Sequence, residues 1–407
     1  MEYRGIDYMR KKLREKEIRV DLRYKYYEMK NQIQDFGIST PPNLRAVQSA
    51  MGWCAKSVDA LADRVVFREF EQDSFGLNTI FNQNNPDVLF DSAILSALIS
   101  SCSFVYISMD NEGFPRLRVI DGAHATGIAD PIVNMLTEGY AILEHDQNGN
   151  PTQEAYFVKG RTDFYKMGKL VRSVPNIAPY PLLVPIINRP DAKRPFGHSR
   201  ISRASMDCVQ SAMRTVKRSE ISAEFFSFPQ KYVVGTSADR DPMDSWRATM
   251  SAMMEFTKDE DGDKPSLGQF QQQSMEPHLA QLRMFAGVFA GENDLTLDDL
   301  GFPSDNPSSQ EAIKASHENL RLKARKAQRC FGTGFLNVGF LAACIRDNIG
   351  YDRWELYKTK AVWEPIFEPD ASTLATIGDG AIKINQAVPG YFDERVLRNF
   401  TGIDKGV

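Results

Sequence analysis

The stretch RPFGHSRISRASMDCVQSAMRTVKRSEISAEFFSFPQKYVVG, residues 194–235, carries more structural information than any other part of this chain. From His198 to Phe228 there are 31 residues without a single Gly or Pro. A helix of that length would run roughly 46 Å at the α-helical rise. Ile201, Met206, Val209, Met213, Val216, Ile221 and Phe225 supply apolar contacts, while Arg200, Arg203, Arg214, Lys217 and Arg218 add a basic surface. Pro229 stops the helix, and Lys231–Gly235 (KYVVG) reads as a strand. A helix well above the average length reads as a spanning strut or a member of a packed bundle.

Downstream, residues 236–275 are polar and include the tract Lys258-Asp259-Glu260-Asp261-Gly262-Asp263-Lys264-Pro265. They read as a small subdomain inserted between two long helices. The second helix opens near Pro277, a suitable first helical residue. Leu279, Leu282, Phe285 and Phe289 are predicted on one face of it. Residues 295–307 are a loop by composition. Ser308-x-x-Glu311 then forms a capping box ahead of a helix predicted to run to about Asn348. Gly332, Gly334 and Gly339 bend that helix or permit close packing. The run WELYKTKAVW reads as strand, and two short helices close the chain around Ser372–Gln386 and Asp393–Phe400.

Upstream, Pro175, Pro179, Pro181, Pro185, Pro190 and Pro195 exclude helix and predict a rigid connector. Before it, FPRLRVI, EGYAILEH, QEAYFVKG and TDFYKMGKLV are short β-rich runs separated by turn signals such as Gln147–Asn148–Gly149–Asn150. They predict an antiparallel meander. Helix is expected over residues 1–35, over 44–65, where Leu44, Val47, Met51, Cys54, Val58, Leu61 and Val65 share a face, and from 86 up to the alternating run SFVYISM. The first 190 residues are therefore expected to form an α+β domain with flanking helices.

Composition narrows the function. Lys+Arg number 49 against 53 Asp+Glu, a net charge of −4. That argues against a dedicated binder of nucleic-acid phosphates and leaves room for brief contact with DNA. Ten basic residues outnumber six acidic ones before residue 32, which reads as a solvated helical arm. The cysteines Cys54, Cys102, Cys208, Cys330 and Cys344 are isolated, with no CxxC pair, so neither a disulfide framework nor a zinc site is expected. No secretory leader and no membrane span is read in the sequence.

Catalytic signatures are absent as well: there is no P-loop, HExxH, GxSxG or dinucleotide fingerprint. The five histidines lack ligand spacing. The acidic tract at 259–263 fails as a calcium loop, because Lys264 stands where a Gly is required and Phe270 where a Glu is required. No cofactor and no metal is expected. The basic residues Arg214, Lys217 and Arg218 either pair with Glu220 and Glu224, within or between subunits, or face a polyanion.

The block 194–235, with its Gly-x-Ser opening, long helix, aromatic-Pro turn and strand, resembles a signature of tailed-bacteriophage portal proteins of the SPP1 gp6-like group. Residues 306–332, NPSSQEAIKASHENLRLKARKAQRCFG, resemble their second strong block, and WCAKSVDALADRV (53–65) resembles a helix of their N-terminal region. The similarity spans most of residues 20–400.

The resemblance implies a ring of identical subunits, usually a dodecamer, at the unique capsid vertex of a virion assembled in the host cytoplasm. Double-stranded viral DNA would be packaged and ejected through its channel. The implied fold is α+β: a wing over 1–197, stem helices at 198–229 and 276–294, a small inserted α/β clip at 230–275, a tunnel loop at 295–307, a long helix at 308–349, and a short, mainly helical crown at 350–407. On this reading Leu295, Thr296, Leu297, Asp298 and Asp299 form the channel constriction. Arg214, Lys217 and Arg218 face DNA or a neighbouring subunit. Lys258, Asp259, Asp261, Asp263 and Lys264 lie on the clip, where the terminase or an adaptor docks. The implied partners are the terminase large subunit, the major capsid protein, the scaffolding protein and a head-completion protein. The chain itself would not be an enzyme. Over twelve copies the net charge becomes about −48, which suits a conduit through which DNA slides. The competing readings are another capsid or tail connector without a DNA channel, and an enzyme whose site carries none of these signatures.

Overall fold

The computed structural model describes residues 3–34, 44, 46–130, 132–227, 231–234, 266–269, 274–303, 310–367 and 369–403. The chain divides into two compact units: Met1–Asn31, Gly52–Met206 and Glu292–Val407 form the first, and Gln32–Met51 with Asp207–Gly291 the second. The class is mixed α and β.

In the first unit, α1 (Ile6–Tyr27) lies on a five-stranded antiparallel sheet. Its strands β4 (Ala125–Ala129), β5 (Leu136–His145), β6 (Pro151–Val158), β7 (Arg161–Lys166) and β8 (Lys169–Pro175) are ordered as in the chain. Met9 and Leu13 of α1 pack with Tyr140, Tyr156 and Val158 of the sheet. A second sheet has the order β3-β2-β9, from β2 (Cys102–Met109), β3 (Pro115–Ile120) and β9 (Leu183–Ile187). The run FPRLRVI thus leaves the expected meander, because its register pairs it with β2: Val119 lies opposite Val105.

The proline-rich connector is only partly a connector. Leu183–Ile187 is strand, buried at every position, and pairs antiparallel with β2. Pro185, opposite Phe104, is tolerated because β9 is an edge strand. The burial of the whole strand hides the alternation on which sequence reading depends.

Helix α2 occupies only Trp53–Ala62, and the apolar positions before it do not extend it. A short α3 (Leu77–Asn82) precedes α4 (Pro86–Ser100). In α4 Pro86 sits in the first turn with Asp87, both favourable there. The expected single helix after residue 308 is two: α7 (Gln310–Ser316) and α8 (Glu318–Asp347), while α5 (Arg203–Ser227) and α6 (Glu276–Asn293) lie mostly in the second unit. The break falls at His317, whose ring makes a 2.9 Å hydrogen bond with the Ile313 carbonyl. Ser308 lies outside the described residues.

Helix α8 runs through the core, and its glycines serve close packing. A Cβ on Gly334 would come within 2.8 Å of Ile186, and one on Gly339 within 2.9 Å of Leu77. Phe335 of α8 meets Phe90 at 4.5 Å between ring centroids, and Phe90 stacks on Phe67 at 3.9 Å. Phe67 begins β1 (Phe67–Glu71), which pairs with β12 (Lys360–Trp363). The C-terminal part of the chain therefore contributes a strand to the same unit as the N-terminal part. Only 360–363 of the expected strand-like run is strand. Arg353–Tyr357 is a 3-10 turn with an Asp352/Glu355 capping box. Helices α9 (Ala371–Ala387) and α10 (Glu394–Thr401) follow, capped by Asp370 and Asp393.

Two buried carboxylates lock α1 onto the sheet. Arg10 donates to both oxygens of Glu154 at 2.9 and 2.7 Å, and the Tyr140 hydroxyl donates to the same carboxylate. Glu138 accepts from the Arg4 and Gly5 amides and from the Tyr156 hydroxyl at 2.6 Å. Burial pushes the Glu154 carboxyl up, but the bonds from Arg10 and Tyr140 outweigh it and hold it below the ordinary value. A depressed carboxylate contributes stability that is complete above its unfolded pKa and is lost as pH falls through the folded one. Melting temperature is therefore expected to fall on acidification below about pH 4.5. Glu154→Gln should flatten that dependence, and an unchanged acid slope in the variant would contradict the assignment.

Candidate functional site

The block that opens on residue 194 is a structural joint. Gly197 has φ of +72°, and a Cβ there would lie 2.0 Å from the Asn188 carbonyl oxygen, so only Gly fits. Its neighbours fasten the loop on both sides. The His198 amide donates to the Asn188 carbonyl at 2.9 Å, and the Asn188 amide side chain donates back to the His198 carbonyl at 2.7 Å. The Ser199 hydroxyl donates to the Ile99 carbonyl at 2.6 Å, and the Arg200 amide to the Leu98 carbonyl at 2.8 Å. Ser202 then accepts from the Ser205 amide at 3.0 Å, an N-cap that starts α5 (Arg203–Ser227). The helix therefore begins five residues later than the composition predicted: 198–202 is held outside it by bonds to α4 and to the end of β9.

Arg200 is buried and organises the point where the chain leaves and re-enters the first unit. It donates to the Ser57 carbonyl at 3.2 Å, to the Asn293 carbonyl, and to Asp294 at 3.3 Å. Asn293 is the last residue of α6 (Glu276–Asn293), and its side chain meets the Ser205 hydroxyl at 3.1 Å. Lys323 of α8 donates to Asp294 as well. Asp294 thus faces two cations, and the residues just before α5 and just after α6 are tied together. Burial lowers the Arg200 pKa against the opposing pull of Asp294. The sequence had offered Arg200 only as one of several surface cations. Its pairing with Asp294, 94 positions later, has no local signature.

Residues 295–302 form a closed turn. The Thr296 amide and hydroxyl donate to Asp299 at 2.8 and 2.9 Å, the Asp299 amide donates back to the Thr296 hydroxyl at 3.2 Å, and the His317 ring reaches the same carboxylate at 3.1 Å. The Phe302 amide donates to the Leu297 carbonyl at 3.0 Å. Leu295 and Leu300 are buried, Thr296, Leu297 and Asp299 half-buried, and Asp298 exposed. Burial pushes the Asp299 carboxyl up, while the donors of Thr296 and His317 hold it below its ordinary range. Asp299→Ala removes these bonds and is expected to cost the turn about 1–3 kcal/mol. Faster amide exchange across 296–302 would show it, and wild-type protection would refute it.

In the second unit, the segment after Asn31 runs beside α5. The Gln34 amide donates to the Gln210 side-chain oxygen at 2.9 Å, and Gln210 donates to the Gln32 carbonyl at 2.8 Å. Arg214 donates to the Gln34 carbonyl at 3.2 Å and to the Ser211 hydroxyl at 2.9 Å. Lys217 is 1 % exposed, and Arg218 is half-buried. Of the three expected stem cations, Arg214 is engaged by the chain itself and Lys217 is enclosed in it. β10 (Lys231–Val234) and β11 (Ser266–Gln269) pair antiparallel, closing the ends of the inserted segment. Lys258, Asp259, Asp261, Asp263 and Lys264 lie outside the described residues. Of the face expected on α6, Phe289 is buried, whereas Leu279 is 59 % exposed together with Met284 and Val288.

Among the described residues, no group of three or more His, Cys, Asp or Glu is placed to hold a metal ion. No described helix is long and apolar enough to cross a membrane.

No family model matches the chain. Its sequence is similar to two portal proteins, those of Mycobacterium phages L5 and D29. Each is 22% identical over 383 residues, covering 88% of this chain and 77% of the relative. Among solved structures, a chain in the neck of an empty gene transfer agent particle aligns over 91% of this chain and 96% of its own length, at 13% identity and a TM-score of 0.49. A chain in the virion of the native particle aligns over 87% and 90%, at 14% identity and a TM-score of 0.45.

Proposed function

We propose that this chain is a portal protein: a subunit of a homo-oligomeric ring at the unique vertex of a phage capsid, through which double-stranded DNA enters and leaves. The observation that carries this reading is the similarity to two portal proteins over 88% of the chain. The assignment to the SPP1 gp6-like group rests on the sequence blocks at 194–235, 306–332 and 53–65.

The surface supports association. Leu279, Met284 and Val288 of α6 are each more than half exposed, as are Trp354, Tyr357, Tyr391 and Phe400 near the C-terminus. Met284 and Val288 stand one helical turn apart on α6, and an exposed apolar pair of this kind suits a surface that a partner covers. Closing a ring takes a heterologous interface whose rotation closes.

In this reading α5 and α6 are the stem, the segment 230–275 is the clip that receives the terminase large subunit or an adaptor, and 295–307 is the tunnel loop. Within that loop Asp298 is the member offered to the channel, since Leu295 and Asp299 are turned into the chain. Arg218 takes the role of the stem cation that meets DNA or a neighbour. The wing meets the capsid and scaffolding proteins. The chain is a conduit and docking ring rather than an enzyme, and the packaging motor is a separate ATPase. Native mass spectrometry at micromolar concentration tests the assembly: a closed oligomer of defined copy number is expected, and a monomer under all assembly conditions would overturn the reading.

A further inference from the structure

A cavity of about 330 Å³ lies in the first unit between the five-stranded and the three-stranded sheet. The second half of β2, with Leu182 just ahead of β9, forms one wall, the β7–β8 hairpin forms the other, and the end of α8 borders it. In the hairpin Thr162 lies opposite Val174 and Phe164 opposite Arg172, so these four side chains share one face. Tyr165 is on the other face and packs with the α1 cluster. Ile107, Met109, Phe164, Val174, Leu182 and Ile345 give the cavity apolar walls.

Two polar groups in these walls are incomplete. Thr162 is 4 % exposed, and its hydroxyl has no hydrogen-bond partner among the described residues. The Asn176 side-chain oxygen accepts from the Ala178 amide at 3.1 Å, which fixes the orientation of the amide group. The Asn176 amide nitrogen is enclosed as well, and it too has no partner among the described residues. Native proteins keep few enclosed polar atoms unpaired unless a bound molecule completes the bond. Both of these residues line the same cavity. A threonine hydroxyl and methyl exchange places by rotation about χ1, which presents Oγ1 to an occupant. Arg172 is exposed where the cavity meets solvent, and a guanidinium pairs with a carboxylate through two N–H donors. Four residues of extended chain, roughly 13 Å between Cα atoms, separate Arg172 from Asn176. An occupant that satisfies both ends therefore carries two acceptors: a carboxylate outside and a neutral carbonyl oxygen inside, on an apolar body.

We propose that this cavity binds a small apolar carboxylic acid with a second carbonyl acceptor, the chemical class of an N-acylated leucine or phenylalanine. The carboxylate pairs with Arg172, the acyl oxygen accepts from Asn176 and Thr162, and the apolar side chain fills the space between the sheets. The cavity lies within the first unit of a single chain, so the site does not depend on ring assembly.

The test titrates the full chain with N-acetyl-phenylalanine, read by calorimetry and thermal shift. Two analogues dissect the contacts: N-acetyl-phenylalaninamide lacks the carboxylate, and phenylpropionate lacks the acyl carbonyl. The wild type is expected to bind the amide roughly tenfold and phenylpropionate roughly threefold more weakly than the parent acid. Arg172→Gln, at an exposed position, should lose the preference for acid over amide and keep the preference for the acyl group. Thr162→Val removes the unpaired hydroxyl, so the unliganded variant is expected to melt at or above the wild type while its preference for the acyl group shrinks. No binding at millimolar concentration would leave water as the occupant and overturn the proposal. Equal affinity for the acid and both analogues would do the same, as would preferences unchanged in either variant. A Thr162→Val protein that melts well below the wild type would show the hydroxyl to be bonded already, and would contradict it too.

Discussion

Asp294→Asn is expected to destabilise the first unit by about 3–5 kcal/mol, although it changes the shape of the side chain hardly at all. Asp294 is where Arg200 and Lys323 converge, and its removal as a charge leaves both cations facing each other with no carboxylate between them. Arg200 cannot turn to water, being 7 % exposed. Asparagine is the right probe because Asp294 has φ of +52°, a conformation that Asn tolerates and Ala does not. The charge effect is thereby separated from backbone strain. Arg200→Met in the same background should recover part of the loss, because the stranded cation is removed with its partner. Urea denaturation at fixed protein concentration measures both. Additive losses would show that the two residues act separately, and a loss below about 1 kcal/mol would show that the junction is solvated.

Phe335→Ala is the second large effect, at about 3–5 kcal/mol. Phe335 is fully buried and its ring lies within reach of Phe67, Phe81, Phe90 and Trp363, with centroid distances between 4.5 and 6.5 Å. Those rings belong to β1, α3, α4 and β12, so the cavity left by truncation would touch most layers of the first unit at once. Neighbouring ring edges cannot collapse into it without breaking the Phe67–Phe90 stack. Phe335→Leu should lose less than half as much. Equal losses for Leu and Ala, or a change under 1 kcal/mol for Ala on denaturation, would place the side chain outside the core that the structure assigns to it.

Much of the architecture is written locally, and what is not has a physical reason. The strands from Leu136 to Pro175 follow alternation and turn residues, which act over a few positions, and the helices near 86, 203, 276, 371 and 394 follow caps and prolines. β9 escaped because a strand buried on both faces has no alternation, and its prolines point the other way. The break at His317 escaped because its ring is held not only by the Ile313 carbonyl but also by Asp299, a residue in another element. Arg200, Asp294 and Lys323 escaped for the same reason: a half-buried ion cluster assembled from three segments leaves no periodic trace. Gly197 was visible as part of a motif, but its reason, the Asn188 carbonyl pressed against it, belongs to the fold. The excess of basic residues before residue 32 reads as a solvated arm, whereas the packing of α1 sets Lys16, Arg19 and Arg23 on one cavity with Arg194.

Electron microscopy of the purified chain tests the portal reading most directly. End views are expected to show closed rings of one cyclic symmetry with a central hole wide enough for duplex DNA, and side views a broad tier tapering to a narrower stem. Particles without a central hole, or open filaments, would contradict it.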